Sequence, residues 1–230
     1  MEAEFVPKKD FWYAWSVRNG RAVLRICDYL QGAPDDVLAD FGRSVIERGL
    51  GSGWRPPESF VRFVDSDEFI LSRRPVFIRR SRNLARTDRG EHAFLPDSVD
   101  RLIDAGLLDA SDVDCSWFSW TRRDSVRRVG FCATMFRVVG ISSALDSPDV
   151  PQEALDYVVY HECLHLRQRY RPVGAVHDAE FRRWEGAYPG RDGCERILRG
   201  LDGTDRRAHR ISTEPAMGVH GEARVPVPRD

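Results

Sequence analysis

Residues 150–165 read VPQEALDYVVYHECLH, and the interpretation of the whole sequence starts from this stretch. On an α-helix, residues four apart lie about 40° apart around the axis, so His161 and His165 project from one face, one turn apart. Two imidazole nitrogens at this spacing can reach one ion, which makes the pair candidate ligands of zinc. The stretch therefore predicts a helix that carries a metal site.

Glu162 is the candidate catalytic residue of this helix. It lies about 100° around the helix from His161, so it can flank a metal ion without binding it. A carboxylate in that position can accept a proton from a water bound to the metal. The sequence therefore predicts Glu162 as a general base.

The residues around the motif favour a buried helix with a defined start. Asp149 can cap the helix together with Gln152, three residues on, and Pro151 suits the first turn. Apolar side chains flank the motif on both sides of the helical projection: Leu155, Val159 and Leu166 next to Glu162, and Tyr157, Tyr160 and Leu164 opposite. We predict a largely buried helix that extends to about Tyr170.

A catalytic zinc site needs a third protein ligand. After a turn at residues 171–174, a second helical stretch is predicted from near His177, which would let its first residue face the metal. His177 is the preferred third ligand. Glu180 is the alternative, because a carboxylate fills this role in many zinc peptidases. Phe181 and Trp184, one turn apart, are predicted to be core packing.

The N-terminal part of the chain predicts a hairpin and a helix. Residues 11–17 and 21–27 are rich in β-forming side chains and flank an Asn-Gly turn at residues 19–20. Residues 34–50 carry apolar side chains at helical spacing, and the glycine-rich residues 51–53 end that run.

The middle of the chain is less regular. Residues 72–89 are rich in arginine and are predicted to form a solvated or partly mobile excursion. A short helix is predicted over residues 97–108, followed by strands over residues 115–121 and 129–142. The second strand is interrupted near residues 133–134, and both strands would extend the first hairpin into one small sheet. A last short helix is predicted over residues 193–201.

The totals favour a single domain in the cytoplasm. The net charge of −1 gives no global drive toward DNA or an anionic membrane. No apolar run approaches the roughly 20 residues of a membrane span, and residues 1–10 lack the apolar core of a signal peptide. We predict one domain over residues 1–201 and a disordered tail over residues 202–230. The five cysteines include no Cys-x-x-Cys pair and are predicted to be mostly buried free thiols.

These motifs resemble those of the SprT-like zinc metallopeptidases, in particular the small bacterial and archaeal members. The likeness is strongest over residues 128–201. Residues 138–146 look like the strand before the active-site helix of the family, and residues 150–165 look like its metal helix. Residues 177–183 are similar to the segment whose histidine binds zinc, and residues 20–34 look like the opening strand and helix.

The resemblance implies a zincin-like α+β fold, in which a small antiparallel-rich sheet packs on the HExxH helix with flanking helices. It implies a Zn²⁺ cofactor and hydrolysis of peptide or protein substrates, and it supports His177 over Glu180 as the third ligand. Three features depart from the family pattern, one of which is the spacing of eleven residues between His165 and His177, within a range that varies between subfamilies. Residues 51–127 form a longer segment, and Cys163 stands where an aliphatic residue is commoner.

Several alternatives stay open at this level. Tyr170 and Tyr188 are candidate oxyanion donors, with plain packing as the alternative for both. Zinc bound by the same histidines with a filled fourth position would only brace the fold. By analogy with SprT-like enzymes that act on proteins attached to DNA, arginines within residues 73–89 and 122–128 make DNA a candidate partner. The sequence carries no signal for an oligomeric state.

Overall fold

The computed structural model describes residues 2–18, 21–49, 55–171 and 174–201. The predicted Asn-Gly turn at residues 19–20, the helix end at residues 51–53 and the disordered tail at residues 202–230 lie outside them. The chain divides into two compact units, with the boundary between Phe69 and Ile70. A single domain over residues 1–201 stays a prediction.

The first unit contains a three-stranded sheet and two helices. Its strands are β1 (Glu2–Val6), β2 (Tyr13–Arg18) and β3 (Arg21–Cys27), in the order β1-β3-β2. β2 and β3 are antiparallel, which confirms the predicted pair of strands. β1 runs parallel to β3 and was not predicted. The helices are α1 (Asp35–Gly49), which confirms the predicted amphipathic helix, and α2 (Glu58–Val64).

Aromatic side chains form the core of the first unit. The rings of Phe41 and Phe60 have centroids 4.8 Å apart, and Tyr13 meets Phe41 edge-on at 5.3 Å. Phe11 joins them with its centroid 5.4 Å from that of Phe60. All four rings are buried, so they remove a large apolar area from water between the sheet and the helices.

The second unit holds a mixed sheet of strands β4 (Trp117–Trp120), β5 (Gly130–Ala133) and β6 (Val138–Ile141). β6 lies in the middle, parallel to β4 and antiparallel to β5. All residues of β6 are buried, as expected for a central strand covered on both faces. A 3₁₀ turn at Thr134–Phe136 separates β5 from β6 and confirms the predicted interruption.

The protein is α+β, but two predictions about its sheets are wrong. The later strands do not extend the first hairpin, since the described strands form two separate three-stranded sheets. Neither sheet is antiparallel-rich, because each combines one parallel and one antiparallel pair. Local patterns identify a strand, whereas its partner is decided by contacts distant in sequence.

The arginine-rich residues 72–89 are mostly exposed or partly exposed, as predicted, but they are not an irregular excursion throughout. Asp67–Arg80 forms helix α3, which contains the boundary between the two units. Its buried Phe77 stacks on Phe136 with ring centroids 4.6 Å apart, so a helix that carries four arginines still contributes to the core. Residues 84–87 then run beside β4, where the backbone N–H of Ala85 donates to the Trp120 carbonyl at 2.8 Å.

The helix with the motif is α5 (Gln152–Gln168), and every residue from Ala154 to Leu166 is buried, which confirms the prediction of a largely buried helix. It packs against β5 and three other helices, α4 (Leu95–Asp104), α6 (Ala179–Gly186) and α7 (Arg191–Leu201). Among the residues that the structure describes, no helix is long and apolar enough to cross a bilayer. The five cysteines are free, and all except Cys115 are buried.

Both ends of α5 differ from the prediction. Pro151 is the N-cap residue and no side chain caps the helix, so the predicted cap by Asp149 is wrong. The backbone N–H of Asp149 instead donates to the Ser147 hydroxyl at 3.2 Å. The helix ends at Gln168, two residues before the predicted end near Tyr170, and the next residue, Arg169, has a positive φ of 58°.

Two arginine–carboxylate pairs fix α5 in place. Arg101 on α4 donates two hydrogen bonds of 2.9 Å to Asp156. Arg167 donates to Asp112 at 2.6 and 3.0 Å near the other end of the helix. Paired hydrogen bonds of this kind fix orientation as well as distance. Residues within the long segment 51–127 therefore help to set the direction in which the α5 histidines point.

Candidate metal centre

Three histidines converge beside α5. The Nε2 atom of His165 lies 3.4 Å from Nε2 of His161 and 3.3 Å from Nε2 of His177. The candidate ligand atoms of all three lie within 4.8 Å of one another. The structure therefore brings together the three residues that the sequence nominates as ligands.

His177 reaches this cluster from a turn, not from a helix. It precedes α6, which begins at Ala179, so the prediction that His177 opens the helix is wrong. Asp178 caps the helix, because its carboxylate accepts a hydrogen bond of 2.8 Å from the Phe181 backbone N–H. Arg171, at the end of the chain segment that leaves α5, lies 2.7 Å from the same carboxylate. These contacts hold the turn that carries His177.

The spacing of the three nitrogens suits zinc. Ligand nitrogens about 2.0 to 2.1 Å from a tetrahedral ion lie about 3.3 to 3.4 Å from one another. The two measured Nε2 separations, 3.4 and 3.3 Å, have this length. Three imidazoles also match a common ligand set of catalytic zinc, which leaves a fourth position for water or substrate. The residues present fit the ion.

The surroundings favour neutral imidazoles, which is the form that binds metal. Burial lowers the pKa of His165 well below its usual value, and the neighbouring His161 and His177 lower it further. Burial and His161 also lower the pKa of the half-buried His177. At neutral pH these two rings therefore keep a lone pair available for a metal ion.

Phe181 packs against all three histidine rings. Its centroid lies 4.5 Å from that of His177, 4.6 Å from that of His165 and 5.1 Å from that of His161. Its side chain is fully buried. The predicted packing role is confirmed, and the structure adds that the packing is against the ligands. Phe181 limits the rotation of the three imidazoles.

Glu162 lies on the side of α5 that faces strand β5. Its side chain is fully buried, and neither carboxyl oxygen has a hydrogen-bond partner among the residues that the structure describes. Burial raises the pKa of Glu162 to about 8, against a smaller lowering by Arg128. An unpartnered buried carboxyl is costly unless a ligand or a reaction uses it. The position therefore has the character of a functional site.

Gly130 makes the approach of Glu162 to β5 possible. A Cβ atom at position 130 would lie 2.6 Å from Oε1 of Glu162, too close for any side chain without a shift. Glycine removes that obstacle at the first residue of the strand. The sequence analysis did not single out Gly130, because nothing local distinguishes it from a glycine that ends a loop.

Glu185 is the other carboxylate that the sequence analysis missed. Its Oε1 lies 2.8 Å from Nδ1 of His161, on the opposite side of the ring from the nitrogen that faces the cluster. Burial raises the pKa of Glu185, but its hydrogen bonds with His161 and Tyr157 and the charge of Arg191 act against it, and the net shift is downward. The signal available in the sequence was its position one turn beyond Phe181, which places the two side chains on the same face of a helix.

The remaining candidates lie elsewhere. Glu180 is about half exposed and pairs with Arg171 and Arg183, at 3.6 and 3.8 Å, instead of joining the histidines. Tyr188 donates its hydroxyl hydrogen to the Glu153 carbonyl at 2.8 Å. Glu153 precedes His161 by eight residues, about 12 Å along the helix, which favours packing for Tyr188. Tyr170 is buried just beyond the end of α5.

Comparisons with protein-family models, with curated proteins and with solved structures found no match to this chain. The resemblance to the SprT-like peptidases therefore stays a prediction that rests on the motifs. What the protein does is inferred from the geometry of the site itself.

Proposed function

We propose that this protein is a zinc-dependent metallopeptidase of the SprT-like, zincin-like type. The observation that carries the proposal is the convergence of three imidazole nitrogens, two of the separations being 3.3 and 3.4 Å, beside the helix that bears a buried Glu162 without a hydrogen-bond partner among the described residues. A carboxyl of this kind has no use in a site that only braces a fold. It suits a site that moves protons.

Each side chain has a definite task in this reaction. His161, His165 and His177 would hold the ion, which would supply a water of lowered pKa and polarise the peptide carbonyl. Glu162 takes the proton of the attacking water and passes it to the leaving amine. For this, Glu162 must ionise, and a cation beside it would bring its pKa down from about 8.

The architecture around α5 supports the zincin-like part of the proposal. A mixed sheet packs on the helix that carries the motif, and its edge strand β5 meets Glu162 at Gly130. An edge strand is the part of a sheet to which an extended peptide can be added by backbone pairing. A peptide or protein is therefore the substrate class that we propose.

The proposal is tested with purified protein freed of metal by a chelator. We expect one equivalent of Zn²⁺ to bind and to switch on cleavage of a fluorescently labelled unfolded protein. Cleavage that persists equally in metal-free protein contradicts the zinc assignment. Tight binding of one zinc without cleavage of any peptide in a random library would favour the alternative, in which zinc only braces the fold.

A second candidate function is cleavage of proteins attached to DNA. Hydrogen bonds join residues 83–84 to residues 122–123. Arg122 Nε donates to the Leu84 carbonyl, and the backbone N–H of Arg123 donates to Asn83 Oδ1, both at 3.2 Å. This brings two arginine-rich segments together. The exposed arginines of these segments are Arg79, Arg82, Arg86, Arg89, Arg122, Arg123 and Arg127. Such a surface suits phosphate groups.

Salt dependence tests this second candidate. If the arginines bind DNA phosphates, the affinity falls steeply as salt is raised, and replacing both Arg122 and Arg123 by Ala makes that dependence shallower by about two phosphate contacts. The absence of DNA binding at low salt removes this candidate and leaves the peptidase proposal intact.

A further inference from the structure

We propose that Glu185 is a positioning residue, which holds His161 in the tautomer that presents Nε2 to the metal. The inference rests on the proposed metal site and does not depend on which substrate is cleaved. It assigns a role to a carboxylate that lies outside the HExxH motif and contacts no candidate ligand atom.

The geometry of the His161 ring carries the inference. One ring nitrogen, Nδ1, lies 2.8 Å from Oε1 of Glu185, and the other, Nε2, faces His165 at 3.4 Å. An ionised carboxylate only accepts hydrogen bonds, so Nδ1 must carry the hydrogen. The lone pair of the neutral ring is then on Nε2. Glu185 thus selects the protonation pattern that a metal ligand needs.

Burial makes this selection strong. The His161 side chain is 3 % exposed and that of Glu185 is 12 % exposed. Water therefore competes little for Nδ1, and a hydrogen bond between them is stronger than one on the surface. Without Glu185, the buried Nδ1–H group would lose this hydrogen-bond acceptor, which is energetically costly, and the ring would lose its preferred tautomer.

Glu185 is itself fixed by neighbours from two other helices. The Tyr157 hydroxyl on α5 donates to Oε1 at 3.3 Å, and Arg191 at the start of α7 lies 3.6 Å from Oε2. Arg191 is held in turn by Glu195, one turn further along α7, at 2.9 Å. The chain of contacts joins α5, α6 and α7, so α7 helps to orient a ligand that it does not touch.

The experiment compares Glu185→Met and Glu185→Gln with the matched control Glu180→Gln. Glu180 lies on the same helix but pairs with Arg171 and Arg183 at the surface. Zinc affinity is measured by competition with a coloured chelator. We expect Glu185→Met to bind zinc about 10- to 100-fold more weakly than the unchanged protein, Glu185→Gln to fall between them, and Glu180→Gln to match it within about twofold.

A second readout needs no metal. Long-range ¹H–¹⁵N NMR correlations report which nitrogen of His161 carries the hydrogen. We expect the Nδ1–H tautomer in the metal-free protein and a mixture of tautomers in Glu185→Met. Circular dichroism checks the fold, and the near-isosteric Glu185→Gln carries both tests if the Met variant does not fold.

The outcomes separate this inference from the proposed function. If the unchanged protein binds no zinc, the proposed function fails, and the NMR tautomer alone decides whether Glu185 orients His161. If the unchanged protein binds zinc while both Glu185 variants keep its affinity and its His161 tautomer, the positioning role is overturned and the metal site stands.

Discussion

The carboxyl groups of Glu162 and Glu185 lie on different sides of α5, and their surroundings differ. On the side of β5, Glu162 is fully buried without a partner among the described residues, and burial raises its pKa to about 8. On the side of α6, Glu185 contacts His161, Tyr157 and Arg191, and its pKa is lowered. The same functional group is kept ready to exchange a proton in one place and kept charged in the other.

The surroundings of each carboxyl group, rather than its residue type, therefore determine its role in the site. Groups whose surroundings push their pKa values apart take different roles in catalysis. The carboxyl of Glu162 has no hydrogen-bond partner among the described residues and is suited to transfer protons. The carboxylate of Glu185 is held by three polar neighbours and is suited to hold a histidine. Variants on the β5 side should therefore affect turnover, and variants on the α6 side should affect metal affinity.

The largest effect is expected from Glu162→Gln. The amide keeps the shape of the side chain but cannot take up the proton, so turnover should fall by about 10²- to 10⁴-fold. Zinc content, measured by mass spectrometry of the purified protein, should stay at one equivalent. Hydrolysis at the unchanged rate would remove Glu162 from the role of general base, and loss of zinc would mean that it binds the metal.

A smaller effect is expected from Gly130→Ala. The new Cβ would lie 2.6 Å from Oε1 of Glu162, so the carboxyl must move. A displacement of about 1 Å at a reacting group can slow turnover by up to about 10²-fold. Gly186→Ala is the control, because a Cβ there has nothing within 4 Å. Equal rates in the two variants would show that the contact with β5 does not position Glu162.

The third effect concerns the stability of the metal-free protein rather than its turnover. Because its pKa of about 8 in the folded protein lies above the ordinary 4.5, Glu162 keeps a proton that the unfolded chain releases. Its contribution to the free energy of unfolding is therefore present at low pH and is lost as pH rises from about 4.5 to 8.

Urea unfolding of metal-free protein between pH 5 and pH 8 measures this contribution. Relative to Glu162→Gln, the unchanged protein should lose up to about 1.4 kcal/mol of unfolding free energy per pH unit. Other titrating groups are common to the two proteins and cancel in the difference. A difference that does not vary with pH would show that Glu162 is ionised in the folded state without metal.

Much of the site could be predicted from the sequence because its signals are local. The spacing of His161 and His165 depends only on helical geometry, and the burial of α5 follows from the apolar residues on both flanks of the motif. The interruption of the strand near residue 133 and the first hairpin were predicted for the same reason.

The rest depends on contacts between distant residues. Nothing near Gly130 indicates that Glu162 will lie against it. The position of Glu185 one turn beyond Phe181 suggests a face of α6 but does not identify His161, 24 positions earlier, as its partner. The partition of the strands into two sheets also depends on long-range pairing. Helix α3 was missed because its charges suggested exposure, whereas the packing of Phe77 on Phe136 stabilises it.

The central claim is that one zinc ion is bound by His161, His165 and His177. Anomalous diffraction from zinc-loaded crystals, recorded on both sides of the zinc absorption edge, tests it most directly. We predict one peak about 2.0 to 2.1 Å from Nε2 of each histidine, with a fourth position open to solvent. The account is contradicted if no peak lies between the three rings, or if a protein side chain fills the fourth position.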